Sequence, residues 1–197
     1  MNAEQFENLL HELDACSSAV EWAHGKTLHV VWNTCNHGDW LLWLAGKMAD
    51  KKGWPTRKQL VLAACACAEQ ALKYVPKSEE RPKKAIQIAR AWARGKATIE
   101  EVRKAASAAY AAPAACSAAC SAASAASAAC SAADAACYAA DAACYAADDA
   151  CYAADDACYA ADAASAAYTA DAASLKDSAD IVRKLIKEPK PIKEISK

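Results

Sequence analysis

A long stretch without helix-breaking residues dominates this chain. From Ala114 to Glu188 there are 75 residues with neither glycine nor proline. Much of this stretch is an alanine heptad, which reads ACYAADA-ACYAADD-ACYAADD-ACYAADA from Ala136 to Ala163. Alanine has the highest helix propensity, and the non-alanine positions recur at intervals of four and three, which is the coiled-coil period. The pattern predicts a long helix with a patterned stripe, and it indicates no particular reaction.

The heptad gives this helix two different faces. At about 100° per residue, cysteine, aspartate and tyrosine share one side, and alanine covers the other. Burying a column of aspartates without cations is costly, so we expect the alanine face to pack inward. One straight helix of this length would be roughly 110 Å long, which a small head cannot stabilise. We therefore expect the repeat either to fold back or to pair with a second copy through its alanine face.

Large aliphatic side chains lie only towards the two ends of the chain. Valine, isoleucine, leucine, methionine and phenylalanine are all absent between Arg103 and Ser174. A conventional core must therefore form from residues 1–102. The last part of the chain carries apolar residues at helical spacing, and we expect that face to dock on the head or on the repeat. These residues are Ile181, Val182, Leu185 and Ile186.

Start and stop signals divide the first part of the chain into short helices. Thr56-x-x-Gln59 and Thr98-x-x-Glu101 have the pattern of capping boxes, and Asp39 is a favourable N-cap residue. Pro113 is expected to kink or break the helix that begins near Thr98. We predict an all-α protein with a helical head at 1–112, the alanine-rich repeat at 113–174 and a basic amphipathic tail at 175–197.

The composition favours a cytoplasmic protein. Eleven cysteines are an odd number, and without an export signal they argue against a secreted disulfide scaffold. The net charge of −1 leaves no basic surplus for specific nucleic-acid binding. No stretch of about 18 strongly apolar residues predicts a membrane span. Residues 114–173 carry eight aspartates and no basic residue, so the cations of the head or tail could pair with them, within one molecule or between copies.

The cysteine pattern gives little support for metal chemistry. Cysteines seven residues apart on one helix are separated by about 10.5 Å, too far to share a metal ion or form a disulfide. We interpret the repeat cysteines as packing residues, with metal or redox chemistry as the alternative. In the head, Cys35-x-His37 and Cys65-x-Cys67 could together bind zinc, but Cys65 and Cys67 point about 200° apart on a helix. We therefore predict no metal site and no cofactor.

Two groups of side chains in the head are candidates for recognition. Five of the six tryptophans lie before residue 55; we expect most of them in the core and some in a groove, where tryptophan contributes strongly to binding. From Arg81 to Lys96 there are six basic residues and no acidic one. No nucleophile, base and orienting group occur in a recognisable catalytic pattern, and there is no phosphate loop. The candidate binding residues are His37, Asp39, Trp40, Trp43, Arg81, Arg90 and Arg94.

Several motifs in the head carry a family resemblance. They are Gly38-Asp-Trp-Leu-Leu-Trp-Leu44, Cys67-Ala-Glu69-x-x-Leu72, Arg81-Pro-Lys-Lys-Ala-Ile86 and Ala89-Arg-Ala-Trp92-Ala-Arg-Gly95, followed by an alanine-rich helix. Over about residues 27–112 the chain resembles a helical family of immunity proteins from bacterial polymorphic-toxin systems, which also occurs in phages and prophages. The resemblance implies binding and inhibition of a toxin or defence effector and no turnover. It assigns no catalytic residue.

Two other functions stay open at this stage. The occurrence of the family in phages suggests a counter-defence protein that sequesters a signalling nucleotide, because arginine pairs with phosphate and tryptophan stacks on a base. A purely structural, oligomeric helical rod is the third possibility. If recognition lies in the head, substitution of Trp40 or Arg90 should reduce activity more than substitution of one repeat tyrosine, such as Tyr145.

Overall fold

The computed structural model describes residues 1–72, 77, 79–119 and 172–190, with the backbone alone at 71, 110–119 and 172–174. These residues form eight helices and no strand, which confirms the all-α prediction. The helices are α1 (Ala3–Glu12), α2 (Ser17–Ala23), α3 (Leu28–Thr34), α4 (Gly38–Lys47), α5 (Arg57–Ala71), α6 (Arg81–Ala93), α7 (Ile99–Ala119) and α8 (Ala172–Leu185). The predicted heptad helix and its faces lie outside the described residues for positions 120–171, and the predicted segment boundaries stay predictions.

Capping boxes fix the first residues of several helices. At α5, the Thr56 hydroxyl accepts from the Gln59 backbone N–H, and the Gln59 side chain accepts from the Thr56 N–H at 2.9 Å. Thr98 and Glu101 make the same reciprocal pair at the start of α7. Each pair satisfies two backbone donors that have no partner within their helix. Both predicted capping boxes are confirmed.

Two local predictions were wrong. Asp39 does not cap α4, because the helix already begins at Gly38 with His37 at the N-cap. Asp39 instead lies in the first turn, where the positive end of the helix dipole favours its carboxylate. The predicted break at Pro113 is also wrong, because the chain stays helical through this residue as far as Ala119. The alternative of a kink at Pro113 stays a prediction. A proline removes one backbone hydrogen bond and crowds the preceding turn, and the neighbouring alanines, the best helix formers, offset that cost.

The core is built around α5. This helix packs against α4, α6 and α8, and α6 packs in turn against α7. Val182 and Ile186, at the end of the chain, are buried in the same core as the side chains of the head. The tail therefore docks on the head, and α8 completes the head's core. The largest fully buried side chains include Phe6, Leu28, Trp32, Leu41, Leu42, Leu60, Ile86 and Val102.

Polar contacts fasten α8 and the segment after it to α3. The Arg183 guanidinium donates to the backbone oxygen of Trp32 at 2.6 Å and to that of Cys35. These carbonyls lie at the C-terminal end of α3, where backbone acceptors have no partner within the helix. Further along, the Glu188 carboxylate accepts from the Asn33 amide at 3.1 Å and lies 2.7 Å from Nδ1 of His29. The chain thus returns to the head at a fixed place.

Across the residues that the structure describes, no helix combines the length and the apolar character needed to cross a bilayer.

Candidate functional site

An aromatic cluster consists of Trp22 on α2, Trp40 and Trp43 on α4, and His37, the N-cap residue of α4. The His37 ring stacks on Trp40 with ring centres 3.9 Å apart and planes 11° apart. Trp22 meets Trp40 edge to face, at a centroid distance of 6.2 Å. Such contacts between rings are worth about 0.5–1.5 kcal/mol beyond the area they bury. The Trp40 ring thus contacts two other rings, and Trp43 lines the same small cavity as Trp22 and Trp40.

Three charged side chains lie next to individual rings of this cluster. The Lys26 ammonium lies 4.4 Å from the centre of the Trp22 ring, and the Lys47 ammonium lies 5.9 Å from that of Trp43. Asp39 Oδ1 is 3.6 Å from Nδ1 of His37. The cavity beneath the rings is about 30 Å³, which suits a single water and no larger molecule. The cluster can therefore act as a contact surface, and His37 already covers one face of Trp40.

The predicted basic residues of α6 differ in the ion pairs that they form. The Arg90 guanidinium pairs with the Glu69 carboxylate on α5. Arg81 pairs with Glu79, and this hydrogen bond holds the pKa of Glu79 below its ordinary value. Arg94 is exposed. Arg90 thus ties α6 to α5, while Arg94 is presented to solvent.

The structure does not combine the aromatic and basic candidates into one site. The aromatic candidates belong to α4 and the loop before it, and the basic ones to α6 and its end. Both helices pack on α5 and scarcely contact each other. The combination of a tryptophan and an arginine around one nucleotide, which the sequence suggested, has no geometric support among these residues.

Two of the head cysteines, Cys65 and Cys67, are fully buried between helices. Cys65 Sγ points to the Ile86 carbonyl on α6, and Cys67 Sγ points to the Ser178 carbonyl on α8. The prediction that these two thiols face different ways is confirmed. Burial raises the pKa of both thiols to about 12, so neither is a thiolate at neutral pH. Within the described part of the chain, no three His, Cys, Asp or Glu side chains are placed to hold a metal ion.

A groove between α6 and α7 was not predicted. It has a volume of about 260 Å³. Its walls come from positions 81, 84 and 88 of α6 and from 101, 104, 105 and 108 of α7, which are spaced so that each set lies on one helix face. The sequence did contain this periodicity. It could not reveal that the two faces would lie opposite each other, since that depends on how α6 packs on α7.

The chain is similar to a known protein family. A family model described as Imm-5 like putative immunity protein matches residues 55–178, more than half of the chain. No curated protein and no solved structure matches. The matched span includes α5, α6 and α7, and therefore both the basic residues of α6 and the α6–α7 groove. The aromatic cluster lies before it.

Proposed function

Because the chain belongs to the Imm-5 like putative immunity protein family, we propose that it neutralises a protein toxin by binding it, without catalysing a reaction. The family match is the observation that carries this proposal. The site chemistry is compatible with it, since the head presents tryptophan and arginine, the side chains most enriched where protein interfaces gain their binding energy. The raised pKa values of Cys65 and Cys67 favour a structural role for these thiols over nucleophilic catalysis.

We place toxin recognition on the head. The Trp40 ring already contacts Trp22 and His37, and we expect these contacts to limit the conformational entropy that is lost on binding. On α6, Arg94 is exposed, and a guanidinium can bind a carboxylate of the partner in two places at once. We expect a cytoplasmic protein, and pairing of two copies through the alanine face stays a prediction.

Nucleotide sequestration has less support from the geometry. A nucleotide site needs cations for phosphate beside a free aromatic face for the base. The groove with three cations on its walls has no aromatic side chain, and His37 and Trp22 already contact the Trp40 ring. A protein partner requires no such combination. The structural rod concerns the repeat, which lies outside the described residues at 120–171.

Co-expression with the adjacent gene tests the proposal. The polypeptide encoded beside this chain's gene is expressed from an inducible promoter in a bacterial host, alone and together with this chain. We expect growth arrest alone, rescue on co-expression, and a stable complex by size-exclusion chromatography. Absence of both rescue and complex, with a polypeptide that is toxic alone, would contradict the proposed function.

Variants locate the recognition surface in the same assay. We expect Trp40→Ala to weaken rescue more than Tyr145→Ala, which alters one tyrosine of the repeat. Arg90→Ala should also weaken it, although part of that loss would come from the broken pair with Glu69. Circular dichroism should show that each variant keeps its helix content. Equal loss from Tyr145→Ala would move recognition to the repeat.

A further inference from the structure

The α6–α7 groove has an apolar floor. Ile88 of α6 and Ala105 and Ala108 of α7 provide it. Its volume of about 260 Å³ lies below the roughly 300–1,000 Å³ of pockets that enclose drug-sized molecules. An opening of this size suits one large apolar side chain that projects from a partner surface.

Charged side chains stand at the edges of this groove, and most are positive. Arg81, Lys84 and Lys104 contribute three cations, and Glu101 contributes one anion. Arg81 is already paired with Glu79, so the two lysines are the cations that matter here. Glu101 is already engaged, because its carboxylate accepts from the backbone N–H of Thr98 at 2.7 Å. Lys84 and Lys104 are exposed, and neither forms an ion pair with another residue of the described chain. The rim therefore attracts acidic groups and has two ammonium groups ready to receive them.

We infer that this groove receives an apolar side chain of the toxin that is flanked by carboxylates. The inference rests on the proposed function, and it names the chemistry of the contact. The apolar anchor would fill the floor between Ile88 and Ala108, and flanking glutamate or aspartate would pair with Lys84 and Lys104. All of these groove residues lie within the span that matches the family, so a contact here would belong to the part of the chain that the family shares.

Two peptide probes test the chemistry of the groove directly. The full-length, isotope-labelled protein is titrated with a short synthetic peptide containing one leucine between glutamates, and then with the same peptide carrying lysines instead. We expect the acidic peptide to shift the amide resonances of Ile88, Ala105 and Ala108, and the basic peptide to leave them unchanged. Equal shifts from both peptides, or shifts confined to other helices, would overturn the inference.

Matched variants separate charge from shape. Lys84→Glu combined with Lys104→Glu should weaken binding of the acidic peptide at least tenfold, whereas Lys83→Glu, a neighbouring exposed lysine outside the groove, should not. Ala108→Leu should fill the groove and block the peptide, and Ser107→Leu, on the exposed side of α7, should not. If both controls weaken binding as much as the groove variants, the peptide is not bound in the groove.

Other occupants give distinct results. If inorganic phosphate alone produces the same shifts and displaces the peptide, the groove is a simple anion site and the apolar anchor is refuted. If a synthetic peptide of the chain's own ACYAADD repeat binds more tightly than the leucine peptide, the groove serves a contact within or between copies of this chain, and the inference fails.

The toxicity assay distinguishes refutation of the groove as the toxin contact from refutation of the proposed function. In the toxicity assay, rescue by wild type with equal rescue by the Lys84 and Lys104 double variant would refute the groove as the contact and leave toxin neutralisation standing. Absence of rescue by wild type would count against the function, and the peptide titration would still decide what the groove binds.

Discussion

At Gly38 the missing side chain lets α8 lie directly against α4. A Cβ atom at this position would be 2.5 Å from the Cβ of Ser178 and 2.6 Å from its carbonyl carbon. Replacing glycine by alanine within a helix ordinarily stabilises it by roughly 0.5–1 kcal/mol. We expect the opposite sign for Gly38→Ala, a loss of about 1–3 kcal/mol from the free energy of unfolding, as for other overpacked cores.

Urea denaturation followed by circular dichroism would measure this loss. Ser178→Gly in the Gly38→Ala background should recover only part of it, because backbone atoms of Ser178 and Ala179 also stand within 2.7 Å of the added carbon. Greater stability of Gly38→Ala than of wild type would mean that the two helices do not meet here.

Glu188 makes the attachment of the last segment dependent on pH. Its hydrogen bonds, with His29 first and then Asn33, hold its pKa below the ordinary value of 4.5. A carboxyl whose pKa is lowered by folding contributes its full stability above the unfolded value and loses it as pH falls through the folded value. We therefore expect the difference in unfolding free energy between wild type and Glu188→Gln to shrink as pH falls from about 5 to about 3.

The same pH series on Glu21→Gln, an exposed position on α2, provides the control. A pH effect at Glu188 that exceeds the one at Glu21 would belong to the carboxylate that contacts His29 and Asn33. If the Glu188→Gln difference stays constant as pH falls, the carboxylate contributes no pH-dependent attachment.

At the scale of the elements, one arginine of α8 makes the polar contacts that join this helix to α3. Arg183 reaches the end of α3 with two donors and also pairs with Asp180 at 3.0 Å. Hydrogen bonds from a charged group are worth about 1.5–3 kcal/mol each, and removing this group leaves two carbonyls without their donors. We expect Arg183→Met to lower the free energy of unfolding by about 2–3 kcal/mol, measured by denaturant titration.

Lys184→Met is the matched control, since Lys184 is the exposed neighbour on the same helix. It should change stability by no more than about 0.5 kcal/mol. Equal effects at both positions would show that Arg183 acts through general charge and not through the carbonyls of α3.

Local chemistry explains which elements could be predicted from the sequence. Capping boxes such as Thr56-x-x-Gln59 depend on residues three apart, and they were predicted correctly. The start of α4 was misplaced by two residues, because the N-cap is His37 and not Asp39. The close packing of Gly38 on Ser178 depends on a helix 140 residues further along the chain. The α6–α7 groove was missed for the same reason. Each of its faces is visible in the sequence, but their opposition is set by tertiary packing.

For the whole molecule, the described core requires residues from both sides of the repeat. Removing residues 136–163, four whole heptads, should leave the helices of the head and their cooperative unfolding intact. Removing residues 172–197 should instead expose the side chains that Val182 and Ile186 cover, and we expect loss of cooperative unfolding or aggregation. Thermal unfolding of both truncated proteins makes the comparison.

If both deletions unfold the head, the repeat takes part in the core. If neither deletion unfolds the head, the contacts of α8 are not needed for folding. Arg183→Met should then leave the free energy of unfolding unchanged as well.

The relative positions of the candidate binding residues could not be predicted from the sequence either. Trp40 and Arg90 were grouped because both belong to side-chain types that bind partners, and sequence offers no distance between them. The structure places them on α4 and α6, two helices that each pack on α5.

The position of α8 after the repeat has a consequence for how the gene can change. A change by whole heptads keeps the reading frame, so the altered gene still encodes Arg183 and Val182, which contact the head. A change by any number of nucleotides not divisible by three replaces α8 with an unrelated sequence and leaves the core uncovered. Such a chain would lack the contacts of Arg183 and Val182 with the head, so only copies of the repeat that remain in frame preserve this fold.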